Sequence, residues 1–172
     1  MLEAVVECLV KRKLTAKSFA ARVGMISLDC FIAVATFLFA GLSAIVLSLG
    51  FVLFVAGIFF TYIVFRNTDV EYEYQFFDGD FRIDKVMHKM TRKKLKVFSF
   101  SKLEMMAPEG SHRLGGGVND RKRYDFSSQM EEDKHYIAIL YDENGAVELK
   151  ITPNEVLLER LARTYPRKVY ND

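Results

Sequence analysis

The chain has 172 residues, 51% of them hydrophobic and 27% charged, with a formal net charge of +2. This composition excludes a disordered tail or a fibre, and the near-balanced charge excludes bulk nucleic-acid binding. A plain soluble globule is excluded as well, because from Val23 to Phe65 the only charged side chain is Asp29.

Before that block, Leu2, Val5, Val6, Leu9 and Val10 recur at helical spacing, with Glu3, Glu7, Lys11 and Arg12 on other faces. The pattern predicts a short amphipathic, basic helix within residues 1–18. It would lie on a membrane surface, or pack on the C-terminal domain or a partner. Cys8 is a candidate for acylation in this segment, although an unmodified thiol is the simpler reading. Cys8 and Cys30 make no CxxC pair and no metal-ligand spacing. The C-terminal half holds no cysteine, which fits a reducing, cytosol-facing domain.

A single helix over the apolar block would be about 65 Å long, against a hydrocarbon core of about 30 Å. Two spans fit instead, over about 19–40 and 44–65 within residues 19–66, joined at Gly41-Leu42-Ser43. Ser48-Leu49-Gly50 is the second candidate turn. The block is too long for a signal peptide and lacks the polar stripe of a buried soluble hairpin. Lys11, Arg12, Lys13, Lys17 and Arg22 precede the first span and Arg66 follows the second, while the turn carries no charge. The positive-inside rule then puts both termini in the cytosol.

Asp29 is the intramembrane polar residue. With the turn near Leu42 it faces Ala56 and Gly57, and water or Arg22 comes within reach. A carboxylate in a span marks a functional site by default; here a structural or interfacial role outweighs ion or proton transport.

From Val70 the period changes to two. Val70, Tyr72, Tyr74 and Phe76 alternate with Glu71, Glu73 and Gln75, and Asp78-Gly79 signals a tight hairpin. A return strand follows over Phe81–Met87. Further strands are predicted at Lys94–Phe100, Lys102–Met106, Lys122–Phe126, His135–Tyr141 and Ala146–Thr152, the last two joined by Glu143-Asn144-Gly145. Thr152 then offers an N-cap, Pro153 suits the first helical position, and Glu155 completes a capping box. Leu157, Leu158, Leu161 and Tyr165 form an apolar stripe, and Pro166 stops the helix. The fold class is therefore α+β: a transmembrane helical hairpin, then a small antiparallel β barrel of seven strands over residues 67–172, its open end covered by the C-terminal helix. An open antiparallel sheet with the helix on one face is the alternative.

The segments Leu9–Lys17 (LVKRKLTAK), Val70–Lys85 (VEYEYQFFDGDFRIDK), Glu104–Pro108 (EMMAP), Ser111–Leu114 (SHRL) and Tyr165–Tyr170 (YPRKVY) resemble an uncharacterised family of small bacterial two-span membrane proteins. The resemblance covers nearly the whole chain. It implies a membrane location and a cytosolic domain, and supplies no activity. In predicted topology the C-terminal domain resembles bacterial pleckstrin-homology-like domains.

No catalytic, cofactor or metal set emerges. His88, His112 and His135 fall on different elements without ligand spacing. Gly115-Gly116-Gly117 lacks the Lys-Ser/Thr of a phosphate loop and reads as a mobile connection over Pro108–Asp120, where Ser111-His112-Arg113 is a candidate partner contact. Glu131-Glu132-Asp133 sits in a polar turn, solvated by default. No nucleophile-elbow, HExxH or kinase set is present.

One constellation carries a hypothesis. Lys85, Lys89, Arg92, Lys93 and Lys94, with His88 and Lys96, cluster between the second and third strands. A two-residue turn pairs Phe77 with Asp80 and brings His88 level with Asp69, so the basic connection should return to the inner leaflet. There each cation near an anionic surface contributes about 1 kcal/mol. Lipid-reading pleckstrin-homology domains carry their phosphate-binding cations around the first hairpin loop, which this reading assigns to the acidic Phe77–Asp80. Specific phosphoinositide recognition is therefore not expected. The expected function is a membrane-anchored, cytosol-facing, non-enzymatic adaptor or interaction module in the cell membrane. Its partners would be the bilayer, anionic lipid headgroups and an unknown protein. The alternative is an accessory subunit of a membrane transport or envelope-assembly complex, with Asp29, Gly50, Ala56 and Gly57 packing on partner helices.

Overall fold

A computed structural model describes residues 5–41, 43–116, 121–142 and 145–171. They form two compact units. One runs from Leu14 to Asp69; the other joins the residues up to Lys13 with those from Val70 onward.

The Leu14–Asp69 unit is a pair of antiparallel helices, α1 (Ala16–Phe39) and α2 (Ala44–Thr68). Thr15 caps α1, its hydroxyl accepting from the Ser18 N–H at 3.3 Å, and Ser43 does the same for α2 through the Val46 N–H at 3.3 Å. Both helices are long and apolar enough to cross a membrane. Among their described residues only Gly57 is buried, and most of their leucines, isoleucines and phenylalanines are exposed. Leu42, at the centre of the expected turn, lies outside the described residues.

The second unit starts with a correction. Residues Val6–Lys11 form a strand, β1, not an amphipathic helix. It pairs antiparallel with β2 (Val70–Phe77), from Val6 opposite Phe76 to Lys11 opposite Glu71. The valines and leucine fit a period of two as well as one of 3.6. The tertiary partner decides: Cys8 and Val10 turn inward and are buried, while Glu7, Leu9 and Lys11 are exposed. β2 turns through Asp78-Gly79, both at positive φ, into β3 (Asp80–Met87) in the expected register, Phe77 opposite Asp80 and Val70 opposite Met87. β3 pairs with β4 (Thr91–Ser99), giving a sheet ordered β1-β2-β3-β4.

A 3₁₀ turn at Phe100–Lys102 leads into a second four-stranded sheet. Its strands are β5 (Leu103–Pro108), β6 (Lys122–Asp125), β7 (Tyr136–Asp142) and β8 (Gly145–Ile151), ordered β5-β7-β8-β6. Two features depart from expectation. The strands form two sheets and close no barrel, and β6 runs parallel to β8. Of the expected Glu143-Asn144-Gly145 turn, residues 143–144 lie outside the described residues; Gly145 opens β8 at positive φ.

The core fills the space between the sheets. The Phe81 and Phe100 rings stack at 4.6 Å, and the buried Tyr74 hydroxyl donates to the Phe126 carbonyl while accepting from the Thr152 N–H. Burial pushes the Tyr74 phenol above its ordinary range. Helix α3 (Glu155–Thr164) adds Leu157 and Leu161 to this core. Its N-cap is Asn154, which accepts from the Leu157 N–H at 2.9 Å, and not Thr152. The Thr152 hydroxyl is committed elsewhere, to the Ser128 N–H at 3.1 Å and His135 Nδ1 at 2.9 Å.

Candidate interaction surface

The basic segment lies in a strand rather than a loop. β4 begins at Thr91, and only His88, Lys89 and Met90 connect it to β3. His88 and Lys89 both take positive φ, a conformation costly for side-chain-bearing residues outside tight turns. Met90, 77% exposed, stands beside them. Alternation then divides the expected cluster. Lys93 pairs with Lys85 on one face, and Arg92 pairs with Val86 on the other. A register shift after Ile83 leaves Leu95 unpaired, so that Lys94 stands opposite Asp84. Lys96 is not free: its ammonium bonds the Tyr124 hydroxyl at 3.0 Å, lies 3.6 Å from an Asp142 carboxylate oxygen, and sits over the Tyr124 ring. That hydrogen bond from Lys96, with a second from Lys122, holds the Tyr124 phenol below its usual range.

Arg92 has a structural duty. Its Nε lies 3.4 Å from an oxygen of Glu73, which is 1% exposed although it points away from the core. Glu73 stands directly opposite Asp84 across β2 and β3, and like charges in that position repel. Arg92 offsets this. Sequence reading missed the pair, because Arg92 reaches it only through the register of β4.

Between the helices, Asp29 meets the face expected of it. A Cβ added at Gly57 would lie 2.2 Å from Asp29 Oδ1, and the Thr61 hydroxyl donates to Asp29 Oδ2 at 2.6 Å. Thr61 was not anticipated, although it lies one turn beyond Gly57 on the same face. Two turns towards the α2 start, Gly50 abuts Thr36 in the same way. Gly50 and Gly57 are thus used in the packing of the two helices on each other. Arg22 does not reach Asp29; it donates to the Thr68 hydroxyl at 2.7 Å and covers the Phe65 ring.

The remaining candidates are ordinary. Cys8 is 3% exposed and burial pushes its thiol up, so acylation has no access to it. Of the connection read as mobile, His112–Gly116 form a 3₁₀ turn, with the Arg113 guanidinium over the Tyr170 ring at 4.3 Å, and residues 117–120 lie outside the described residues. His135 is a structural partner of Thr152. Among the described residues no three His, Cys, Asp or Glu side chains converge as metal ligands.

The first hairpin loop is also reassigned. Because β1 precedes β2 in the sheet, the connection between the first two strands is the helical unit itself, and the Phe77–Asp80 turn is the second. A sheet of four antiparallel strands, a second sheet and a C-terminal helix agree with the comparison to known families. The family described as Bacterial PH-like domain (DUF6106) matches residues 2–171. The chain belongs to this family. Its PH-like unit is therefore interrupted, between its first two strands, by a pair of apolar helices. No curated protein matches the chain.

Proposed function

We propose that this PH-like protein is a membrane-anchored, cytosol-facing interaction module without enzymatic activity. The observation that carries the reading is the β1–β2 ladder, which straddles both apolar helices. Strands hydrogen-bond only on one side of a bilayer, so a chain that crosses between them must cross an even number of times. Two helices, each over 30 Å long at 1.5 Å per residue, meet that requirement. Cations at Lys11, Arg12, Lys13, Lys17, Arg22 and Arg66, against an uncharged turn, favour the cytosol for the PH-like unit.

The lipid contact in this reading is the β3–β4 turn. β1 ends at Lys11 and β2 begins at Val70, which pairs with Met87 at the start of that turn. Lys89, Lys93 and Lys94 supply charge, and Met90 supplies an apolar tip. Gly50 and Gly57, on which the transport-complex alternative draws, face Thr36 and Asp29 of the helix pair itself.

The test uses the full chain in nanodiscs with an environment-sensitive fluorophore on Met90→Cys. The label should move to an apolar setting in phosphatidylglycerol discs but not in phosphatidylcholine discs. Lys89→Glu and Lys93→Glu together should abolish the shift, at about 1 kcal/mol per cation. Arg92 and Lys94 are left in place because they face the buried carboxylates of Glu73 and Asp84. Identical emission in both lipids contradicts the docking.

A further inference from the structure

Sheet edges present unpaired N–H and C=O groups that invite another strand, and folded proteins usually blunt them. Three of the four edges here are blunted. β4 carries Arg92, Lys93, Lys94 and Lys96 and a bulge. β5 is covered by the chain's own C-terminal segment: the Met106 N–H donates to the Lys168 carbonyl at 2.7 Å, and the Tyr170 N–H donates to the Met106 carbonyl at 2.8 Å. β6 is four residues long and abuts β4 through the Tyr124 and Phe98 rings, 5.6 Å apart. β1 is less protected: it carries two exposed charges, Glu7 and Lys11, and among the described residues no segment hydrogen-bonds to its outer edge between them. It holds no proline, and its register with β2 is unbroken.

The direction of its free groups follows from the ladder. The Arg12 N–H donates to the Val70 carbonyl at 3.0 Å, so Val10, Cys8 and Val6 also bond towards β2. Glu7, Leu9 and Lys11 then direct their N–H and C=O outward. Lys13, next in that row, gives its N–H to the Ser128 carbonyl at 2.7 Å; the edge already takes a carbonyl from a neighbouring segment at one end. A groove of about 670 Å³ runs along Cys8–Lys11, with Met130, Tyr136, Asn154 and Leu158 on its other walls. Leu9 is 63% exposed beside it.

We propose that the free edge of β1 takes up an extended segment of a partner protein as an added strand. The outward groups of Glu7, Leu9 and Lys11 match a peptide backbone and no other common ligand. The walls formed by α3 and the Met130 segment stand across the groove from β1, so the occupant is a single extended chain and not the sheet edge of a second folded copy. Alternate side chains of that strand would meet Met130, Tyr136 and Leu158, which selects an alternating apolar and polar sequence. The inference rests on reading the unit as an interaction module but not on lipid docking, so the two tests fail separately.

The probe is a displayed library of short random peptides, selected against the full chain in detergent. Alternating sequences should be enriched, and their binding should slow hydrogen exchange at the Leu9 and Lys11 amides. Leu9→Pro removes an outward N–H while sparing the ladder to β2; it should weaken binding about tenfold, whereas Leu9→Ala should change it much less. Protected Cys8 and Val10 amides report that the variant keeps its ladder; if it does not, exchange in the unsubstituted protein decides. Failure to enrich any peptide, binding that leaves Leu9 and Lys11 exchange unchanged, or full binding by a ladder-intact Leu9→Pro overturns the proposal.

Discussion

Deleting residues 1–69 is expected to unfold the PH-like unit, whereas excising only residues 14–69 and joining Lys13 to Val70 through a short glycine-containing turn should leave it folded and soluble. The deletion looks harmless from the sequence, because it removes what reads as an amphipathic surface segment and an anchor. It also removes β1. Cys8 and Val10 leave the core, at about 2 kcal/mol each. The hydrogen bonds to β2 go with them, at about 1 kcal/mol each, as does the 3.3 Å bond from Arg12 to the Tyr72 hydroxyl. The total is about 5 kcal/mol or more, comparable to the stability of a whole domain. Tyr72 and Tyr74 would then lie in an exposed edge strand prone to aggregation. In the excised version Lys11 still faces Glu71 and Arg12 still bonds Val70. Urea melts followed by circular dichroism distinguish the two. A truncated protein as stable as the excised one would mean that β1 is dispensable.

The second large effect is in the helical unit. Gly57→Val should disturb the contact between α1 and α2, because the new side chain would meet Asp29 Oδ1 and the carboxylate would have to swing aside. Overpacking of this kind costs about 2 kcal/mol, and it also threatens the hydrogen bond from Thr61 to Asp29. The cost should be coupled to Asp29. Asp29→Ala removes the obstructing carboxylate, so the double variant should recover much of the loss. Heating the full chain in detergent and following the monodisperse fraction by size-exclusion chromatography gives the four midpoints of the cycle. Equal losses from Gly57→Val with and without Asp29 would show that the two residues do not meet.

Several elements were legible because their signals are local. The apolar block exceeds one bilayer crossing and contains a Gly-Leu-Ser break, so two helices follow. Asp78-Gly79 tolerates the positive φ of a tight hairpin, and the register of β2 with β3 follows from it. With the helix turn near Leu42, Asp29 has to face Gly57. The misreadings are of non-local features. β1 pairs with a strand beyond the whole helical unit, and a short run of valines and leucine fits two periods until that partner is known. The basic residues read as one cluster because the start of β4 at Thr91 and the bulge at Leu95, which sort them onto faces, leave no mark in the sequence. Thr152 and Asn154 are both competent caps; contacts to Ser128 and His135 take the first and leave the second. The parallel pairing of β6 with β8 and the separation into two sheets likewise depend on long-range packing.

In the proposed topology one PH-like unit, on one side of the membrane, is assembled from the chain segments that flank the two helices. Single cysteines at Glu7→Cys on β1, Glu104→Cys on β5 and Gly41→Cys at the helix turn test it directly, in a Cys30→Ser background, with a membrane-impermeant maleimide on intact bacteria and on inverted vesicles. Positions 7 and 104 should react only in inverted vesicles and position 41 only in intact cells. Labelling of positions 7 and 104 from opposite sides would contradict it.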